Sequence, residues 1–260
     1  MWTFLDFFRR KAAPADPLPS ASTPASALAG KPLRYLIGAR DVDWESFDAM
    51  GVIEVGYDID AVPPALRDRV IGYGNFWDEK YEEDGPRFGP YLKPTDTARH
   101  YDEGVIDPKG PGWKKNLVAQ FERRARQGIR IIELDNPDPY PTPPVLQGYD
   151  LALEHGLSVI AKNPFICADG VALMAHRAVV AAIMETDNEG MPADLHRMRI
   201  EAGRPDLPIW FVGFGHASER AHTQQIAKEA AAFKGIGVTF CEGSGRDEYV
   251  NYKDLLIPRV

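Results

Sequence analysis

The chain has 260 residues, of which 44% are hydrophobic and 26% charged, with a formal net charge of −8. That length accommodates one large α/β barrel or two small domains. The acidic balance speaks against a nucleic-acid partner, because no basic stripe is available to neutralise phosphates, and leaves neutral or cationic substrates open.

Residues 1–8 are apolar and aromatic apart from Asp6, and Arg9-Arg10-Lys11 follow. A secretory signal runs in the opposite order, and a bilayer span needs roughly 20 apolar residues. Residues 1–11 therefore suit no more than weak membrane or protein docking, and with no standard signal peptide the localisation stays unknown. Ala12 to Gly30 is rich in Ala, Pro and Ser and reads as a flexible linker. The expected division is an N-terminal segment and linker, residues 1–30, and one folded domain, residues 31–260.

From Leu33 onward, short apolar runs alternate with amphipathic ones. Eight strands are predicted: Leu33–Gly38, Val52–Tyr57, Arg69–Tyr73, Ile129–Leu134, Leu157–Ala161, Val179–Met184, Ile209–Gly213 and Gly237–Phe240. Gly51, Gly128, Gly156 and Gly235 stand where preceding helices should stop. Between Trp113 and Gln127, the residues Trp113, Leu117, Phe121 and Ala125 form one apolar stripe. Ser218 is placed to cap a helix running through Ile226 and Ala230 to Phe233. Eight βα repeats predict a (β/α)₈ TIM barrel. Its rival, an open doubly wound sheet, lacks a GxGxxG after the first strand.

The connection from Gly74 to Pro111 far exceeds the usual two to six residues. It carries Phe76, Trp77, Tyr81, Phe88, Tyr91 and Tyr101 among acids. These are either sugar platforms on the C-terminal face or a lid packed by its own aromatics.

Side chains just past the strand ends face the crevice where such folds bind ligands. They are Asp58 and Asp60 after the second strand, and Asn75 and Trp77 after the third. The fourth is followed by Asp135, Asn136, Asp138 and Tyr140, the fifth by Lys162 and Asn163. The sixth is followed by Glu185, Asp187, Asn188 and Glu189, and the last two by Phe214 with His216 and by Glu242. Two carboxyl groups over one pocket suit glycosidic cleavage, in which one protonates the leaving oxygen and the other attacks the sugar or activates water.

Several of these residues carry plainer readings. Asp138 between two prolines fits a turn. Lys162 suits either a Schiff-base lysine or an ion-pair partner, and Asn163 beside it favours the ion pair. Glu133 shares a strand face with Asp135 and is a supporting group. His155 belongs to a helix end. Cys167 and Cys241 lack a CxxC or histidine cluster, which favours buried free thiols over zinc or a disulfide. No HExxH, P-loop or GxSxG is present, and neither metal nor cofactor is expected.

The stretch from Gly112-Trp113 to Gly128, followed by Glu133-Leu134-Asp135-Asn136-Pro137-Asp138-Pro139-Tyr140, resembles the endo-α-1,4-polygalactosaminidase family of glycoside hydrolases (family 114). Leu151 to Val159, the pair Lys162-Asn163 and the strand ending in Glu185 extend the resemblance to about Gly190. It implies a (β/α)₈ barrel that hydrolyses α-1,4-linked galactosamine polymers with one aspartate and one glutamate. By position these are Asp135, as nucleophile or stabilising carboxylate, and Glu185, as acid/base. The family often carries a cysteine where this chain reads Thr186-Asp187-Asn188-Glu189, which leaves Glu189 as a rival to Glu185. The expectation is a hydrolase of an amino-sugar-containing polysaccharide. The substrate-binding residues would be Asp58, Asn75, Trp77, Asn136, Tyr140, Lys162, Asn163, Glu189, His216 and Glu242. The alternative is a barrel that binds carbohydrate without cleaving it.

Overall fold

Each of the eight apolar runs forms a strand, and all eight are parallel. In chain order the strands are β1 (Leu33–Tyr35), β2 (Met50–Ile53), β3 (Val70–Asn75), β4 (Tyr91–Lys93), β5 (Val105–Ile106), β6 (Ile131–Asp135), β7 (Ser158–Lys162), β8 (Val179–Glu185), β9 (Ile209–Phe214), β10 (Ile236–Gly243) and β11 (Tyr249–Asn251). The helices are α1 (Pro111–Arg126), α2 (Thr142–Glu154), α3 (Gly170–Ala175), α4 (Pro192–Glu201) and α5 (Ala217–Ala230). This computed structural model describes residues 28, 31, 33–36, 44, 45, 47, 49–53, 59–78, 87–93, 104–186, 191–214, 217–243 and 249–251.

The main sheet runs β1-β2-β3-β6-β7-β8-β9-β10-β11, parallel up to β10 and antiparallel at β11. Strand β1 lies against β10 and β11, so the sheet comes round on itself as a nearly closed (β/α)₈ TIM barrel. The Trp210 indole reaches across the seam to the Lys31 carbonyl at 2.8 Å. Period-two alternation sorts the side chains. Val52, Ile71, Ile131, Ile160, Ile183 and Val212 pack inside the barrel. Leu117, Phe121, Ile132, Leu134, Val159 and Phe211 belong to the layer between sheet and helices. Among the described residues, no helix is long and apolar enough to cross a membrane.

Helix ends fall where Gly128, Gly156 and Gly235 take φ of 77°, 75° and 77°. Gly51 instead lies within β2, where a Cβ would approach Leu36 Cδ1 to 2.9 Å. The first third also differs from expectation. Two 3-10 segments, Ile59–Ala61 and Pro64–Arg69, cover the outer wall between β2 and β3. Among the described residues the first α-helix is α1. The long connection holds a β4–β5 hairpin that no apolar periodicity announced. Ser218 falls inside α5 rather than ahead of it.

Helix α1 departs from a simple apolar stripe. Trp113, Leu117 and Phe121 are buried, but Ala125 is exposed and Arg124 takes its place. Asn116, Gln120 and Arg124, four residues apart, form a buried polar row against β3. Strand β2 pairs with β3 from Gly51–Val70 to Ile53–Gly72, and the α1 side chains meet the β3 backbone beyond those pairs. Gln120 accepts from the Asn75 amide at 2.8 Å and donates to its carbonyl at 2.7 Å. Arg124 Nε donates to the Tyr73 carbonyl at 3.1 Å and Nη2 to that of Ile53 at 3.2 Å. Asn116 donates to the Asn75 and Trp77 carbonyls. Gly72 and Gly74 permit this approach: a Cβ on Gly72 would meet Arg124 Cδ at 2.8 Å, and one on Gly74 would meet Gln120 Oε1 at 3.0 Å. Buried backbone groups need such partners.

Candidate active site

Tyr35, Asn75, Asp135, Lys162, Glu185 and Phe214 are each the last residue of a barrel strand. The barrel thus brings to one end side chains separated by up to 179 positions in sequence. Lys162 is the hub and is almost wholly buried. Its Nζ lies 2.8 Å from Glu133 Oε1, 3.1 Å from Glu185 Oε1 and 3.7 Å from Asp135 Oδ1. The Tyr35 hydroxyl donates to Glu133 Oε1 at 2.7 Å and accepts from Lys162 at 3.2 Å.

Burial works against the Lys162 charge, but Asp135, Glu133, Glu185 and Tyr35 together outweigh it and push its pKa well above the ordinary value. A lysine so held stays protonated and is no nucleophile, so the ion-pair reading prevails over the Schiff base. Burial raises the pKa of Glu133 and, with the Glu133 charge, that of Tyr35, which therefore keeps its proton.

The two outer carboxylates are held by different neighbours. Asp135 Oδ2 accepts from the Tyr73 hydroxyl at 2.8 Å, and Oδ1 accepts from the Asn136 amide at 2.9 Å. Asn136 Nδ2 donates to Asn75 Oδ1 at 3.0 Å. Glu185 Oε2 accepts from Asn163 Nδ2 at 2.7 Å, and its amide donates to Asn163 Oδ1 at 2.9 Å. Both asparagines sit in the left-handed region, with φ of 56° and 45°. Asparagine tolerates that region better than most residues. The turn it makes directs each side-chain amide back to a neighbouring strand end. Oxygens at 3.7 and 3.1 Å from one nitrogen are no further apart than the sum of those distances, about 7 Å.

Asn75, Asn136, Lys162 and Asn163 thus join Asp135 and Glu185. Trp77 and Tyr140 do not. Both are buried in the layer outside the barrel, where Tyr140 packs on Trp113 and donates to the Phe76 carbonyl at 3.3 Å. The hydrophobic rule that makes aromatics good platforms also makes them good core, and here the core takes them. Phe76 likewise stacks on Trp113 at 5.1 Å, and Tyr91 donates to buried Asp78 at 2.7 Å. The described part of the long connection is therefore packed by its own aromatics; Tyr81 and Tyr101 lie outside the described residues. Asp60 pairs with Arg67 in solvent. Asp58, Glu189 and His216 lie outside the described residues, as does the side chain of Glu242. Partial burial, then the charges of Asp135 and Glu185, raises the pKa of the turn residue Asp138. Cys167 is a free, half-buried thiol whose pKa burial pushes up to about 12. Among the described residues, no group of three His, Cys, Asp or Glu is arranged to hold a metal ion.

Tyr35 and Tyr73 were not singled out in the sequence. Each ends or nearly ends a strand on the inner face, and that position was the available signal.

Among solved structures, this fold is shared by Ega3 of Aspergillus fumigatus, in complex with galactosamine. The TM-score is 0.60 at 12% identity, over 86% of this chain and 95% of that one. The glycoside hydrolase domain of PelA from Pseudomonas aeruginosa gives 0.58 at 15% identity, over 86% and 98%. A glutamate-to-alanine variant of that domain gives 0.62 at 13%, over the same shares. No family model and no curated protein matches the chain in sequence.

Proposed function

We propose that this chain is a glycoside hydrolase that cleaves an amino-sugar-containing polysaccharide, of the α-1,4-galactosaminidase kind, through Asp135 and Glu185. The observation that carries the reading is that both carboxylates contact one buried ammonium at the open end of the barrel. The sequence resemblance to polygalactosaminidases and the fold shared with a galactosamine complex and a glycoside hydrolase domain support it. Three carboxylates around one ammonium leave a negative excess, which suits a polymer bearing protonated amines.

By the positions the resemblance gives them, Asp135 takes the role of nucleophile and Glu185 that of acid/base. A ceiling of about 7 Å on their nearer oxygens covers the roughly 5–5.5 Å of retaining enzymes and only the short end of the roughly 6.5–9.5 Å of inverting ones. Retention of configuration is therefore the expected outcome.

The test is release of reducing sugar across a panel of amino-sugar polymers. Asp135→Asn and Glu185→Gln should each lose about 10²–10⁴-fold in kcat, and NMR of the first product should find the anomer of the substrate. Near wild-type cleavage by either variant would overturn the assignment. Saturable polymer binding with no new reducing ends would leave a carbohydrate-binding barrel instead.

A further inference from the structure

Glu133 has no exposed surface and lies on the inner face of a barrel otherwise lined by Ile131, Ile160 and Ile183. A charge buried among such residues is costly unless it is compensated. Its Oε1 accepts from both Tyr35 and Lys162, while its Oε2 is buried and meets no partner among the described residues. A buried ion pair serving stability alone would satisfy both oxygens. The same Lys162 Nζ also touches Glu185 and Asp135. One anion thus lies on the barrel side of the ammonium and two on the mouth side.

Resting on the reading of Asp135 and Glu185 as the reacting pair, we propose that Glu133 and Lys162 are positioning residues acting as a charge couple beneath it. Lys162 fixes the spacing of the two carboxylates; Glu133, with Tyr35, anchors Lys162 and offsets part of its charge.

The two members bias the reacting pair in opposite directions. An ammonium within contact favours the ionised form of a carboxylate, and a second carboxylate nearby favours the protonated form. The couple therefore sets how readily Glu185 holds the proton it must deliver, without either member touching substrate. Among the described residues, the other titratable groups turned toward this pair are Tyr35 from β1, Tyr73 from β3 and Asp138 from the loop after β6. All three are left intact in the test.

The test uses the full chain with ¹³C-carboxyl-labelled Asp and Glu. The resonances of Asp135 and Glu185 are assigned from Asp135→Asn and Glu185→Gln, then titrated in Lys162→Met and Glu133→Gln. Where a polymer is cleaved, the pH profile of kcat/KM is followed alongside. Lys162→Met should move both carboxylate titrations, and the basic limb of the profile, up by about 1–3 pH units. Glu133→Gln should move them down by a smaller amount. Loss of stability with unmoved titrations, or movement in the same direction, overturns the proposal. Should Lys162→Met fail to fold, the near-isosteric Glu133→Gln decides alone: a downward move supports the couple and no move removes it. The NMR titration needs no substrate. Opposite movements with no polymer cleaved would therefore keep the couple and remove the hydrolase, while cleavage with unmoved titrations would do the reverse.

Discussion

Two buried polar clusters flank strand β3 and β6, one outside the barrel and one within, and they are built on opposite principles. The outer one, Asn116, Gln120 and Arg124 of α1, spends its donors and acceptors on backbone groups of β2 and β3. The inner one, Glu133, Lys162, Asp135 and Glu185, has more anions than cations and, among the described residues, leaves Glu133 Oε2 without a partner. A satisfied network holds a shape. A charge-unbalanced one holds a reactivity, because the excess carboxylates on its mouth side face whatever arrives there.

If that contrast is right, the same kind of substitution should damage the two clusters differently. Lys162→Met should have the largest effect. Removing one partner of a buried ion pair costs about 3–5 kcal/mol, because the remaining charges are left uncompensated. Part of that cost should return in the double variant Lys162→Met with Glu133→Gln, measured by denaturant unfolding. Additive losses would mean the two do not act as a couple. Arg124→Met comes next. It strands the Tyr73 and Ile53 carbonyls, at about 2–4 kcal/mol in all. Cleavage per folded molecule should change less than a few-fold, since the Arg124 bonds run to the Tyr73 and Ile53 carbonyls rather than to a mouth carboxylate. An activity loss as large as its stability loss would collapse the distinction. Tyr73→Phe sits on the border. It should shift stability by no more than about 1 kcal/mol yet lower kcat about tenfold through the orientation of Asp135, with KM little changed.

The legibility of the two clusters in sequence differs as much as their construction. The inner one was half visible, because strand ends are recognisable from apolar runs and their last residues converge in a parallel barrel. Asp135, Lys162, Asn163 and Glu185 are found that way. Tyr35 was not, because a tyrosine in a strand is an ordinary β former and its partner Glu133 lies 98 residues away. The outer row was not singled out in the sequence, for a local reason. Asn116, Gln120 and Arg124 adjoin the apolar positions 117, 121 and 125, and a polar residue beside an apolar stripe normally faces water. Only the alternating glycines of β3, Gly72 and Gly74, hint that something larger than a strand neighbour comes close. Trp77 and Tyr140 failed in the opposite direction, since an aromatic just past a strand end serves the core as readily as a ligand. The 3-10 segments between β2 and β3 show no helical periodicity to find.

The smallest expected effect is on the pH dependence of stability, and it separates the clusters by whether they contribute a slope at all. Folding raises the pKa of Lys162 because the surrounding carboxylates outweigh its burial. Its contribution is therefore complete below its unfolded value, about 10.4, and is lost as pH rises through the higher folded one. Folding also raises the pKa of Glu133, through burial above all. For an acid the consequence is that folding is favoured most while the group is protonated, so this contribution fades as pH climbs past its ordinary value of 4.5. The outer row, two amides and a guanidinium that stays charged throughout, contributes no slope in either window. Thermal unfolding between pH 9 and 11 should therefore show a steeper decline for the wild type than for Lys162→Met, while Arg124→Met keeps the wild-type slope from a lower starting point. If Arg124→Met flattened the decline as well, the outer row would belong to the same electrostatic unit as the inner cluster, and the division between shape and reactivity would have to be redrawn along β3.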